Sequence, residues 1–198
     1  MRQRLFSIVT LFSFVIIFSC NSEERLNDFT ANGGPDGAVN LKSEVFESTT
    51  TEYTDEQIDA LIAKYYSGKS RDIAAPANLS SLLKVQFPNA RDIEWEVSND
   101  IYCVEFEVGN VDHEILYDAQ GNALLYVYDI RPSALPKAVS DAARQKYPTY
   151  RIDDAERVLK GSVKAYLIEL EKNGVRDVNV VFDETGTFLH EQSYTYFK

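Results

Sequence analysis

Two stretches of this chain alternate apolar and polar side chains with a period of two, and they constrain the fold more than any other feature. Tyr102, Val104, Phe106 and Val108 alternate with Cys103, Glu105 and Glu107; further along, Tyr166, Ile168 and Leu170 alternate with Leu167, Glu169 and Glu171. Successive side chains of a strand leave opposite faces of a sheet, so each stretch is expected as a strand with one side on a core and glutamates on the other.

The surroundings of the two stretches match as well, with drifting offsets that mark short insertions. Leu79, Leu82 and Leu83 lead into Phe87-Pro88, while Leu135, Val139, Ala142 and Ala143 lead into Tyr147-Pro148. Each is expected as a helix closed by an aromatic residue before proline, because proline pushes its predecessor out of the α region. After each alternating stretch comes a further strand, at 111–117 and at 175–182. Asp118-Ala119-Gln120-Gly121 and Asp183-Glu184-Thr185-Gly186 then read as β-turns, with Asp bonding its own backbone and Gly supplying the positive φ. Final strands are expected at 124–130 and 188–197.

Ahead of these units, Thr54 with Gln57 three residues later forms a capping-box signal. Ile58, Leu61, Ile62, Tyr65 and Tyr66 follow on one helical face, and Ser67-Gly68 stops it. The expected fold is therefore α+β: two tandem helix-plus-antiparallel-meander repeats with helices packed on one face of the sheet.

The helix opening at Leu135-Pro136 and closing at aromatic-Pro, the Tyr166-x-Ile168-x-Leu170 strand and the Phe182-Asp183-x-x-Gly186 turn resemble the putative β-lactamase-inhibitor-like, PepSY-like family of secreted and periplasmic bacterial proteins. The likeness runs from about Asn78 to Tyr194. It implies the fold of the β-lactamase inhibitor protein, a helical layer backing a sheet whose open face grips a partner. Ser80-Ser81 stands in the first unit where the second has Pro136-Lys137, and no inhibitory loop is transferable, so inhibition of a β-lactamase is not implied.

The N-terminus reads as an address. Arg2 and Arg4 precede a mostly apolar run from Leu5 to Phe18. As a helix that run spans roughly 21 Å, short of the ~30 Å hydrocarbon core, so it is read as a signal peptide. Ile17-Phe18-Ser19-Cys20 resembles the lipobox of bacterial lipoproteins, which implies cleavage before Cys20, acyl (palmitate) chains on that cysteine, and stable anchoring. Asn21 in place of aspartate implies the outer membrane, facing the periplasm or the cell surface. The divisions are then a signal peptide over 1–19, a flexible tether over 20–53, the amphipathic helix over 54–70, and repeats over 71–130 and 131–198.

Charge and chemistry narrow the function. Lys and Arg number 20 against 31 Asp and Glu, a net −11 that becomes −13 once Arg2 and Arg4 are removed. Such a surface disfavours nucleic acid and anionic headgroups. With Cys20 acylated, Cys103 is left alone and reads as a small packing residue. His113 and His190 have no Cys or His at ligand spacing, and the sequence contains no glycine-rich phosphate loop and no Gly-x-Ser-x-Gly elbow. Catalytic residues, metal and cofactors are accordingly not expected.

What remains is a row of carboxylates, Glu105, Glu107, Asp112, Glu114, Glu169 and Glu171, joined by Tyr194 and Tyr196 as a candidate binding face. Trp95, Tyr126 and Tyr128 add aromatic surface or core. The leading expectation is a non-enzymatic, membrane-anchored protein-binding or regulatory module acting through an open sheet face on a periplasmic or surface protein. The alternatives are a sensor or binder of cations or small polycations on the acidic face, and a hydrolase with carboxylate catalysis.

Overall fold

The computed structural model describes residues 53–192. The signal segment, Cys20, the tether, Tyr194 and Tyr196 lie outside the described residues. Helix α1 (Asp55–Ser67) is followed by β1 (Arg71–Asp72), α2 (Ala77–Gln86), β2 (Arg91–Ser98), β3 (Ile101–Val108), β4 (Val111–Tyr117) and β5 (Ala123–Ile130). A 3-10 turn (Pro132–Ala134) then leads to α3 (Lys137–Lys146), β6 (Arg151–Lys160), β7 (Val163–Glu171), β8 (Val178–Asp183) and β9 (Phe188–Gln192). The nine strands among the described residues form one sheet in chain order, every neighbouring pair antiparallel. The fold is α+β.

Local chemistry sets the element ends. Thr54 accepts from the Gln57 amide at 3.4 Å while the Gln57 side chain accepts from the Thr54 amide at 2.8 Å, closing the capping box. Phe87 and Tyr147 both leave the helix at nearly the same backbone angles, φ −130° and −125°, each donating its N–H four residues back. In the turns, Asp118 accepts from the Gln120 and Asn122 amides at 2.9 and 2.8 Å, and Asp183 accepts from Thr185 and Thr187 at 2.9 and 2.8 Å. Gly121 and Gly186 close them at φ 93° and 86°. The carboxylates predicted to make turns are consumed by their own loops.

The sheet has apolar clusters on both faces. On one, α2 places Leu79, Leu83 and Phe87 over Val104, Phe106, Ile115 and Tyr117. On the same face α3 places Val139 and Ala143 over Ile168, Leu170, Val180 and Phe182. Val104 is fully buried and Phe106 only 3 % exposed, so the even-numbered side chains of β3 face the core as the alternation requires.

One expectation is corrected. The helices do not all pack on one face: α1 lies on the opposite side, with Ile58, Ile62 and Tyr65 against Ile101, Cys103, Leu116, Leu125, Val158 and Leu167. The reason is compositional. Near the β2–β3, β4–β5 and β6–β7 turns the second face is itself apolar, and the one strongly amphipathic helix outside the two units covers it.

Both ends of α1 are tied to hairpin turns. At its C-terminus Ser98 Oγ donates to the Tyr65 carbonyl and Asn99 Nδ2 to the Lys64 carbonyl, both at 2.7 Å. A Cβ on Gly68 would stand 2.3 Å from Ser98 Oγ and 2.5 Å from Asn99 Nδ2, so a side chain there would displace the two groups that bond the helix end. At its N-terminus Asp55 accepts from the Ser162 amide at 2.9 Å, and Lys160 pairs with Asp59 at 2.5 Å. Ahead of the helix, the Tyr53 hydroxyl donates to Asp118 at 2.8 Å.

Truncating Ile62 beneath α1 leaves a cavity in this second layer, and Ile62→Ala is expected to lower unfolding stability by about 2–5 kcal/mol in urea titration. Val85, 81 % exposed on α2, is the control: Val85→Ala should stay within about 0.5 kcal/mol of the parent chain.

Candidate functional site: an acidic half-face of the sheet

Helix α1 covers only the part of its face next to the β2–β3 and β6–β7 turns. Beyond it the same face carries carboxylates from six consecutive strands, β2 to β7. Backbone register sets Glu105 across from both Glu94 and Glu114, and Glu107 across from Asp112. It likewise sets Asp129 across from Glu156, and Asp154 across from Glu169. Like charges directly opposite on neighbouring strands repel, so this belt opposes the pairing of the strands that bear it.

All six predicted carboxylates lie on this side. Glu105, Glu107, Glu114, Glu169 and Glu171 are half-buried and Asp112 is exposed. Ion pairs flank the belt: Arg91 meets Glu107 and also donates to Asn110 at 2.6 Å, and Arg151 bridges Glu171 and Asp153. The face is therefore acidic but not fully open, since α1 roofs its other half.

Asp129, Asp154 and Glu156 were not singled out in the sequence, yet Asp129 and Glu156 sit at the centre of the belt. Their signal was non-local. They join the row only because β5 pairs with β6, and β6 carries an irregularity between Ile152 and Asp154 that breaks the alternation.

Proton affinity rises along the belt. Burial, then Glu105 and Glu96, hold the Glu114 carboxyl up at about 7. Burial, then Asp154 and Asp112, hold Asp129 at about 7. Burial, then Asp129 and Asp154, hold Glu156 at about 8, and one oxygen of Glu156 is enclosed without a hydrogen-bond partner. Glu105 and Glu169 are raised as well, in each case first by burial. Near neutrality Glu114, Asp129 and Glu156 are therefore partly protonated.

Where the belt meets α1, Cys103, Glu105 and Glu114 bring one potential ligand atom each within 4.8 Å of one another. The Cys103 thiol is buried and pushed well up, first by desolvation and then by Glu114 and Glu105. A thiol held protonated packs as an apolar group and is a poor metal ligand. Tyr65 donates to Glu96 at 3.3 Å from the same end of the helix.

The aromatic candidates separate from this face. Trp95 and Tyr126 are buried under α2, and Tyr128 borders the same cluster. His113 stacks on Phe106 with centroids 5.1 Å apart, and its Nδ1 meets the Tyr126 hydroxyl at 2.9 Å. Desolvation lowers it to about 4, so it stays neutral. His190 lies on β9, remote in sequence from any Cys or His.

A cleft of about 720 Å³ opens at the β2 edge, lined in part by Leu83, Phe87, Ile93, Trp95, Glu96 and Glu105. Asp129, Glu156 and Glu169, the carboxylates of the central belt, are not among its lining residues. Of the raised carboxylates Glu105 lines this cleft, while Glu114, Asp129 and Glu156 do not.

The pH dependence follows from the signs of these shifts. Glu114, Asp129 and Glu156 bind protons more tightly folded than unfolded, so the stability they give is complete below their unfolded values of 4.5, 3.8 and 4.5 and is lost as pH rises through 7 to 8. His113 runs the other way: its contribution is complete above 6.5 and is lost as pH falls to about 4. Tm is expected to climb as pH is lowered from about 9 to about 6, and Glu156→Gln should raise Tm at the alkaline end while changing it little near pH 5. A calorimetric Tm that is flat across that range would contradict the electrostatic account.

Comparison with known proteins places this architecture. Residues 100–190 match the family model described as "Putative beta-lactamase-inhibitor-like, PepSY-like". A BLIP-like protein from Bacteroides fragilis superposes with a TM-score of 0.54 at 24 % identity, over 64 % of this chain and 92 % of that one. A DUF2874 family protein from Bacteroides uniformis gives 0.56 at 20 % identity, covering 63 % and 94 %. A protein from Bacteroides eggerthii described as a putative periplasmic protein gives 0.55 at 19 % identity, covering 61 % and 89 %. At these identities the structures show the fold alone. No functionally curated protein matches the chain.

Proposed function

We propose, from the premise that residues 100–190 belong to the beta-lactamase-inhibitor-like, PepSY-like family, that this chain is a non-enzymatic binding or regulatory module of the bacterial cell envelope. Its partner is a protein that meets the acidic half-face. The observation that carries the reading is the belt itself: carboxylates from β2 to β7 are gathered on one side of a continuous sheet, at a cost in strand pairing that packing does not require. The two helix-plus-meander units are read as tandem copies, supported by the matching helix exits at Phe87 and Tyr147 and the matching Asp118 and Asp183 turns.

Complementary charge across an interface raises association rate and selects partners more than it raises affinity, which suits a regulatory contact. Carbodiimide treatment of intact cells couples carboxylates to nearby lysines and tests the contact directly. The expected outcome is one partner protein joined through Glu105, Glu107 or Glu169; crosslinks confined to other surfaces, or none above background, would remove this reading.

Anchoring is part of the proposal. Acylation of Cys20 at the outer membrane, on its periplasmic or its surface side, rests on the lipobox resemblance, with residues 20–53 as tether. Labelling with an alkynyl palmitate analogue should mark the parent chain and not Cys20→Ser. Equal labelling of both would exclude the anchor.

A second reading is favoured by one observation, the meeting of Cys103, Glu105 and Glu114: a cation or small polycation on the acidic face would relieve the repulsion that raises these groups. Calorimetric titration with calcium, magnesium and spermidine decides it. Saturable heat that disappears in Glu105→Gln would support this reading, and heat-silent titrations would end it.

A further inference from the structure

Among the described residues, strand β2 has an outer edge that is only partly paired. Its neighbour β1 is two residues long and pairs only with Glu96 and Val97, after which the Ile73 amide donates to the Trp95 carbonyl at 2.9 Å. The chain then departs through Ala74, Ala75 and Pro76 into α2. Arg91, Asp92, Ile93 and Glu94 are all exposed, with Ile93 at 44 %. Arg91, Asp92, Ile93 and Glu94 thus form the stretch of β2 beyond the reach of β1, next to the irregularity in its pairing with β3.

That edge borders the cleft of about 720 Å³. Leu83, Phe87 and Trp95 give it apolar walls, and Asp72, Glu94, Glu96 and Glu105 outnumber its one cation, Lys84. An uncovered strand edge beside apolar pockets is the arrangement to which an extended polypeptide adds as another strand. We propose that the β2 edge and its cleft bind an extended polypeptide segment in which lysine or arginine alternates with small apolar residues. Backbone bonds to the exposed stretch 91–94 would hold the segment, the cleft would take its apolar side chains, and the surrounding carboxylates its cations.

Charge decides between this occupant and a second copy of the chain. Edge-to-edge self-pairing would bring Asp72, Asp92 and Glu94 of each copy together, against Arg71 and Arg91, and Arg91 is already held by Glu107 and Asn110. The irregularity between Arg91 and Glu94, with Asp92 at φ 51°, also disturbs a regular self-pairing ladder. The site meets the belt at Glu94 and Glu105, whereas Asp129, Glu156 and Glu169 do not line it.

The test uses the full-length chain and fluorescent peptides of about ten residues, enough to span one strand. One alternates Lys and Val, a second alternates Glu and Val, and a third is the Lys/Val peptide with its valine amides N-methylated. Anisotropy is expected to show saturable binding of the first, and at least about tenfold weaker binding of the other two. Ile93→Pro, which removes a backbone donor from this exposed stretch, should weaken the Lys/Val peptide by a similar factor, whereas Glu169→Gln should leave it unchanged. Equal binding of the N-methylated peptide would reduce the effect to general charge attraction and overturn the proposal. So would loss of binding in Glu169→Gln but not in Ile93→Pro, which would assign the peptide to the belt. A dimer in sedimentation that Ile93→Pro dissolves would make a second copy the occupant and likewise overturn it. Should Ile93→Pro fail to fold, the comparison of methylated and unmethylated peptides decides alone.

Discussion

The pairing of β5 with β6 is the contact on which the rest of the molecule depends. Five residues of β5, Tyr126 to Ile130, are matched with Leu159 back to Ala155, and this ladder joins β1–β5 to β6–β9 as one sheet. It forms against resistance, because Asp129 and Glu156 face one another across it and both have raised proton affinity. Backbone bonds and the flanking apolar pairs Tyr126–Leu159 and Val127–Val158 outweigh the repulsion. The electrostatic centre of the candidate site and the mechanical centre of the sheet are thus the same few residues.

Around that seam the two faces are used differently. Helices α2 and α3 each cover their own half of one side, and the paired aromatic exits at Phe87 and Tyr147 turn the chain back into the sheet. On the other side α1 spans from the β6–β7 turn to the β2–β3 turn, covering residues contributed by both halves. It is therefore a second tie across the seam. Cys103 owes its burial to this helix: Tyr65 closes over it, and desolvation keeps the thiol protonated and withdrawn from exchange chemistry.

Features governed by a few neighbouring residues were legible in the sequence. The Thr54 capping box, the Asp118 and Asp183 turns and the inward phase of Val104 and Phe106 each follow from interactions within one or two turns of chain. Strand β2 was not assigned, and β6 escaped because Asp153 and Asp154 interrupt its alternation where the ladder shifts register. Strand β8 begins at Val178 and not at Val175, whose amide instead closes a turn onto Lys172. The side taken by α1 was illegible for another reason: an amphipathic helix specifies that it has an apolar face, not which apolar surface will receive it. For the site, periodicity within β3 and β7 put Glu105, Glu107, Glu169 and Glu171 together, while Asp129 and Glu156 required knowing which strands are neighbours.

The Tyr53 hydroxyl bond to Asp118 fixes the point at which the chain arrives at the sheet, beside the β4–β5 turn. The β2–β3 and β6–β7 turns lie at that same margin, and the carboxylate belt lies toward the opposite one. The acidic margin is therefore the end of the sheet remote from the Tyr53 entry point, with the length of the strands between the two.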